Sequence, residues 1–388
     1  MSTIKAVEII SDTNIGGAGV LLLNRMRYSD REKIETTVIL PENSLLKQRF
    51  EELRVKTLSI KGCADRSFDM RAIPRLAVAL RKLSPDLVNC HSSLSGRIAA
   101  RAAGVPTLLY TRHCFFEGKI GVLLRAQSIL EPLLSDGIIA VAYAVRDYLL
   151  DLGIPRSRIS VIINGAQELK RLSTHERRQI RKRLGIGADK TVVSICARLE
   201  PCKDHATFFK AAKLLSSRSD KYFFLVIGGG SLEKELHTCA ERIGISDRIR
   251  FVGRVDDVAP YMNVTDINVN CSIGSETSSL ALSEGMSLGI PCVASDFGGN
   301  AYMVEDGVNG YIFQRGNWRE LAAKIELLLD ARCYERMSES ARARFERELN
   351  AERMTRDTER LYCDFVRKNG YSSSRIAAKK ASRSKRSF

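Results

Sequence analysis

The chain has 388 residues, 44% of them hydrophobic and 27% charged, and a formal net charge of +16. That length suits two domains better than one core, and the composition is that of a soluble globular enzyme. With no apolar run of about 18 residues, no membrane-spanning helix is expected.

The N-terminus, Met1 to Ile10, lacks the basic start and long apolar core of a signal peptide and enters a strand directly, which predicts a cytoplasmic chain. Short apolar runs at Val7–Ile10, Thr36–Leu40, Leu87–Cys90, Thr107–Tyr110, Gly137–Val141 and Ile159–Ile162 read as buried strands. Helical patterns such as Pro74–Leu83 and Ser95–Ala103 lie between them. This alternation predicts a mostly parallel sheet wrapped by helices. Asn164-Gly165 punctuates the chain, and a charged helix over Ser173–Leu184 leads to a second series. Its strands are Val192–Cys196, Phe223–Ile227, Ile249–Val252, Ile267–Val269 and Cys292–Ala294. A late charged helix spans Glu346–Arg367, with a break near Asn350. The fold class is α/β with two doubly wound, Rossmann-like parallel-sheet domains. Their expected bounds are 1–168 and 169–349, followed by a helix over 350–370 that returns to the first domain.

Residues 371–388 form a basic tail. From Arg367 to Phe388 there are eight Lys or Arg and no acid, half of the net charge. With little to bury, 371–388 is expected to be disordered. Ten cysteines are present, none in a Cys-x-x-Cys pair and several inside apolar strands, so buried free thiols are expected. No two histidines have zinc-ligand spacing.

Several loops that follow strands carry candidate chemistry. Ser11 to Val20 holds Gly16, Gly17 and Gly19, which let the backbone pass close to a ligand; the spacing is not the dinucleotide fingerprint. Leu108-Leu-Tyr-Thr-Arg-His113 ends a strand in a histidine, as Leu87-Val-Asn-Cys-His91 does. Ala197-Arg-Leu-Glu-Pro-Cys-Lys203 carries two cations, Arg198 and Lys203, around a proline turn. Gly228-Gly229-Gly230 follows another strand. Phe251-Val-Gly-Arg254-Val255-Asp-Asp257 suits a flat base, with Asp257 either at the base edge or capping a helix near Val258.

The most specific feature is a pair of glutamates, Glu276 and Glu284, in Gly274-Ser-Glu-Thr-Ser-Ser-Leu-Ala-Leu-Ser-Glu-Gly-Met-Ser-Leu-Gly-Ile-Pro291. The pattern predicts a helix from about Thr277 to Leu288, with Glu276 at the strand-to-helix turn and Glu284 about two turns on. The N–H groups of Thr277, Ser278 and Ser279 would then face an anion, and a carboxylate there should stay ionised.

These motifs, together with Cys292 to Asn300 and Val304 to Phe313, resemble the retaining family 4 glycosyltransferases, in order of elements from about residue 4 to residue 368. The resemblance implies the GT-B architecture, two such domains facing across a cleft. It implies transfer of a sugar, with retention, from a UDP- or GDP-sugar to an acceptor hydroxyl in polysaccharide or glycolipid assembly. Glu284 would hold ribose hydroxyls and Glu276 the sugar. Arg198 and Lys203 would neutralise the diphosphate, and Gly229, Arg254 and Val255 would line the nucleotide. Gly17 would face the donor phosphates or acceptor. His113 would lie close to the sugar, donating to a hydroxyl or sharing charge with the diphosphate. With fixed cations and no Asp-x-Asp, no metal and no cofactor are implied; the nucleotide sugar is a substrate. Many relatives have Gly or Phe soon after the first glutamate, where this chain has Thr277-Ser278-Ser279; the hydroxyls of Ser278 and Ser279 could help to hold a phosphate.

The acceptor would be a glycan or a lipid-linked glycan. The basic tail suits an anionic membrane surface, placing the chain at the inner face of a membrane. A sugar-nucleotide epimerase or a sugar phosphorylase would share the fold. Nucleic acid is not expected as a partner, because no aromatic is interleaved with the tail's clustered cations and no nucleic-acid motif is present.

Overall fold

The computed structural model describes residues 3–115, 131, 133–274 and 276–384, with side chains as far as 370. The chain divides into two compact units: Met1–Ile163 with Ala351–Phe388, and Asn164–Asn350.

The first unit holds β1 (Ile4–Ile10), β2 (Ile34–Pro41), β3 (Lys56–Ile60), β4 (Leu87–His91), β5 (Thr107–Arg112), β6 (Gly137–Ala140) and β7 (Ile159–Val161). They form one parallel sheet in the order β3-β2-β1-β4-β5-β6-β7. Interior strands such as β6 are buried along their whole length, which is why they read as unbroken apolar runs. β3 is not among the strands that the sequence predicts. It lies at the sheet edge with Lys56 exposed and the rest half-buried, so its apolar signal is weak.

The second unit holds β8 (Thr191–Cys196), β9 (Tyr222–Ile227), β10 (Ile249–Gly253), β11 (Ile267–Asn270), β12 (Cys292–Ser295) and β13 (Gly310–Phe313), again all parallel, in the order β10-β9-β8-β11-β12-β13. Its core joins Phe208, Phe209, Tyr222, Phe224 and Phe313 to the apolar faces of the helices. The helix Thr174–Leu184 begins with a capping box, Ser173 against Glu176, which fixes where it starts. Both units therefore have the doubly wound parallel sheet of the GT-B class. In each, the strand order reverses beside the first strand, at β1/β4 and at β8/β11. Loops leaving the carboxyl ends of strands at such a reversal form a crevice for ligands.

The late helix breaks where expected: Phe345–Leu349 is a π-helical turn, Asn350 is extended, and a new helix starts at Ala351. This last helix packs on the first unit. Glu359 Oε1 accepts from Ser29 Oγ at 2.8 Å and from Asp30 N at 2.9 Å. Asn369 Nδ2 donates to Thr107 Oγ1 at 3.1 Å. Its backbone remains helical to Ser384, beyond residue 370 where the sequence reading ends it. All ten cysteines are free thiols. Among the described residues, no helix is long and apolar enough to cross a membrane.

Candidate functional site

In the second unit, the loops after β8 and β11 bring two of the predicted residues together. Lys203 ends the short turn Pro201–Lys203 after β8, and Glu276 follows β11. Glu276 is 6% exposed. Its Oε2 accepts from Lys203 Nζ at 2.6 Å, Ser272 Oγ at 3.0 Å and Asn270 Nδ2 at 3.1 Å. Lys203 Nζ also lies 3.3 Å from Ser272 Oγ. A small cavity beside this cluster is lined by Cys196, Ala197, Lys203, Asn270, Ser272 and Ser279. Asn270 and Ser272 are not among the sequence candidates. The signal was there: two polar residues flank Cys271 at the end of an apolar strand.

Glycines shape the surrounding backbone. A Cβ at Gly299 would stand 1.7 Å from the Thr277 carbonyl oxygen, so the Gly298-Gly299 turn can close on the Glu276 segment only without a side chain. A Cβ at Gly228 would stand 2.0 Å from the carbonyl oxygen of Ala197, in the loop that carries Arg198 and Lys203. Gly229 sits beside Arg254, whose Cβ would be 3.4 Å from an added methyl. Arg198 and Arg254 are both exposed. Val255 packs against the cluster around Leu225 and Ile227.

The helix that carries Glu284 begins later than predicted. It spans Leu280–Ser287, with Ser279 as N-cap accepting from Leu282 N at 3.3 Å. Its first-turn N–H groups are therefore those of Leu280 to Leu282, not of Thr277 to Ser279. Ser279 N approaches Met303 Sδ at 3.2 Å and Ser278 Oγ approaches it at 3.8 Å, so local contacts already engage both serines. The helix starts late because a serine Oγ in extended backbone caps better than it continues a helix.

Glu284 lies in the second turn of the helix Leu280–Ser287. Burial first, and the Asp257 charge second, push its carboxyl up to about 7. Asp257 itself accepts at 2.9 Å from the N–H of Ala259, the first residue of the helix Ala259–Met262, whose N-cap is Val258.

In the first unit, Gly17 is the first residue of the helix Gly17–Tyr28, with open space where its side chain would be. Gly19 is the crowded one, as a Cβ there would meet Leu46 Cδ2 at 2.6 Å. His113, just past β5, meets His91 at the end of β4: His91 Nδ1 lies 2.8 Å from His113 Nε2. Burial first, then the neighbouring His91, lowers the His113 imidazole to about 3. It is therefore neutral near pH 7 and does not carry the positive charge the resemblance allows it to share with a diphosphate. Behind His91 lies Glu8, in the interior of β1 and fully buried. Glu8 is missing from the sequence candidates, although a carboxylate inside the run Val7-Glu-Ile-Ile of a central strand is itself a signal.

Among the described residues, no group of three or more His, Cys, Asp or Glu side chains is placed to hold a metal ion.

Two family descriptions match the chain: glycosyl transferases group 1 over residues 176–344, and Glycosyltransferase Family 4 over residues 15–167. The chain is 25% identical over 311 residues to the UDP-Gal:alpha-D-GlcNAc-diphosphoundecaprenol alpha-1,3-galactosyltransferase of Escherichia coli, covering 77% of this chain and 80% of that protein. It is 30% identical over 271 residues to the D-inositol 3-phosphate glycosyltransferase 2 of Catenulispora acidiphila, covering 63% of each. In fold it is similar to Anabaena Alr3699/HepE in complex with UDP and glucose, with a TM-score of 0.81 over 93% of this chain and 99% of that one, at 21% identity.

Proposed function

This chain belongs to the family 4 glycosyltransferases, and we propose that it moves a sugar from a UDP-sugar, with retention, to a hydroxyl of a glycan or lipid-linked acceptor. One observation carries the assignment of the donor side: the buried Lys203–Glu276 pair, with Asn270 and Ser272, at the strand-order reversal. A UDP-sugar rather than a GDP-sugar is favoured because the Escherichia coli relative is named for UDP-Gal and the similar Anabaena structure holds UDP and glucose.

Glu276 pairs with Lys203 at 2.6 Å. An arriving diphosphate takes over that pairing and frees Glu276 to accept hydrogen bonds from sugar hydroxyls. As the glycosidic bond breaks, negative charge grows on the diphosphate. Lys203, joined by the exposed Arg198, stabilises that charge more in the transition state than in the ground state. These two cations do this without a metal. Glu284 takes the ribose hydroxyls, and Gly229, Arg254 and Val255 take the base. Ser278 and Ser279 shape the sugar end through the backbone they fix. Gly17 and His113 serve the acceptor and the transferred sugar. Retention follows if the acceptor hydroxyl attacks from the face that the diphosphate leaves, with a phosphate oxygen taking the proton.

A melting-temperature screen against UDP-, GDP- and ADP-sugars tests the donor. At 100 times its dissociation constant the true donor adds about 2.7 kcal/mol; stabilisation by GDP-sugars alone would remove the UDP assignment. Product anomeric configuration, read by proton NMR, tests retention. For the acceptor, the cations from Arg375 to Arg386 are assigned to an anionic leaflet, each contributing about 1 kcal/mol near the surface. Flotation with anionic liposomes, comparing the full chain with one ending at Gly370, checks this. Equal flotation of the two would exclude the tail as the anchor.

A further inference from the structure

Behind Glu276, in the same unit, stand two buried polar side chains that the reaction as described above does not use. Asn300 is the first residue of the helix Asn300–Met303, directly after the Gly298-Gly299 turn, and Ser295 ends β12. Both are fully buried. Asn300 Nδ2 lies 3.1 Å from Ser295 Oγ and 3.4 Å from Asn270 Oδ1. Ser295 Oγ lies 2.6 Å from the Ser272 carbonyl oxygen, and Ser272 N lies 2.9 Å from Asn270 Oδ1. Asn270 and Ser272 are in turn the neutral donors to Glu276 Oε2, at 3.1 and 3.0 Å. The same turn also reaches the Glu276 backbone, where Gly299 N donates to the carbonyl oxygen at 3.3 Å.

Backbone atoms fix the direction of the bonds in this chain. A carbonyl only accepts, so Ser295 gives its hydroxyl hydrogen to Ser272 and must itself accept from Asn300. A backbone N–H only donates, so the Asn270 atom facing Ser272 N is the amide oxygen, and its NH₂ faces Glu276. Asn300 Nδ2 thus divides its hydrogens between Ser295 Oγ and Asn270 Oδ1. None of these four side chains is an acid or a base near neutral pH.

The fold needs little of this. Without Asn300, the Asn270 oxygen keeps the Ser272 N–H, and Ser295 keeps the Ser272 carbonyl. The Oδ1 of Asn300 has no hydrogen-bond partner among the described residues, and an unpaired buried acceptor counts against stability. What Asn300 adds is a second bond on the Asn270 oxygen, which restrains rotation of that amide, and a fixed hydroxyl on the Ser272 carbonyl. The bonds from Lys203, Asn270 and Ser272 all fall on Glu276 Oε2, so these residues set the plane of the carboxylate and where its Oε1 points.

We propose that Asn300 is a positioning residue that, with Ser295, orients Glu276 toward the transferred sugar through Asn270 and Ser272. This rests on the reading of Glu276 as the carboxylate that meets the sugar hydroxyls. A side chain that is not in the first rank of a site can still govern its rate, because small displacements of a reacting or binding group are costly.

The test uses the full chain carrying Asn300→Ala, with Ser295→Ala as a second variant that loses only a hydroxyl. In each, kcat should fall on the order of 10- to 100-fold. Affinity for UDP, which carries no sugar, should stay within about twofold of the parent. The melting temperature should move by about 4 °C or less. The double variant should lose little more than the worse single one, because both act along one chain of bonds. A loss of UDP affinity in step with kcat overturns the proposal, since the whole site would then have shifted. If Asn300→Ala does not fold, Ser295→Ala decides by the same readings.

A crystal structure of Asn300→Ala reads the positioning directly. The Asn270 amide should turn, and Glu276 Oε2 should lose that donor. Both groups unmoved would overturn the proposal whatever the rates. Glu276→Gln reports separately on the underlying reading. If it lowers kcat and Asn300→Ala does not, the proposal falls and the reading stands. Unchanged kcat in Glu276→Gln would remove Glu276 from the sugar, while a displaced carboxylate in the Asn300 variant would still establish what holds it.

Discussion

The Nζ of Lys203 lies 2.6 Å from Oε2 of Glu276, and both side chains are nearly buried. The contact joins the loop after β8 to the loop after β11. It sets a lysine against the carboxylate at the reversal in strand order.

Replacing Lys203 with alanine should therefore cost both rate and stability. Losing one fixed donor to developing charge lowers kcat about 10²- to 10³-fold. Leaving Glu276 buried without its cation costs up to about 3 kcal/mol, limited by the bonds that Asn270 and Ser272 still donate. Steady-state kinetics and urea unfolding measure the two effects. An effect on donor KM alone would mean that Lys203 only holds the ground state.

Arg198 separates the two effects. It lies on the same loop but is exposed, so the fold gains little from its charge. Arg198→Ala should lower kcat more than it raises KM and leave the melting temperature nearly unchanged. A pronounced loss of stability would show that this arginine supports the loop instead of the leaving group.

The strand series and both turn motifs were legible because central parallel strands are buried on both faces and loops leave them at glycine, proline or a charge. The pairing of Lys203 with Glu276 was not legible. The residues are 73 apart in sequence, and they meet only because β8 and β11 are neighbours at the reversal in strand order. The start of the Glu284 helix was misplaced because Thr277, Ser278 and Ser279 have similar propensities, and only backbone geometry selects Ser279 as the cap. Glu8 went unread for a different reason. Its partners come from β4, the helix Gly17–Tyr28 and the last helix, and no local pattern unites them.

Glu284 should make donor binding proton-linked. Its carboxyl is raised from 4.5 to about 7 in the folded protein. The folded state therefore holds more protons than the unfolded one between these values, and stability falls as pH rises through that window. At about 1.4 kcal/mol per pH unit, the contribution is roughly 3–4 kcal/mol, present below pH 4.5 and lost above 7. Ribose hydroxyls favour the ionised form, so binding near pH 6.5 should release a proton. A UDP-sugar has no phosphate group that titrates there, so calorimetry in buffers of different ionisation enthalpy isolates the effect. Proton release should vanish in Glu284→Gln, and the same release in that variant would place the titrating group elsewhere.

Tyr362 tests what ties the last helix to the first sheet. Its hydroxyl is 2.8 Å from Glu8 Oε1, and Arg25 lies over its ring with the guanidinium carbon 5.2 Å from the centroid. Tyr362→Phe keeps the ring and the cation contact and removes one donor to a buried carboxylate. Hydrogen bonds to charged groups contribute about 1.5–3 kcal/mol, and Glu8 has no exposed surface through which water could replace the hydroxyl. Urea unfolding should therefore show a loss of that size with an unchanged slope. Tyr362→Ala should lose more, because the side chain is fully buried and its removal leaves a cavity. If the phenylalanine variant were as stable as the parent, Arg25, Asn89 and His91 alone would satisfy Glu8, and the last helix would be held by its apolar contacts and the bonds of Glu359 and Asn369.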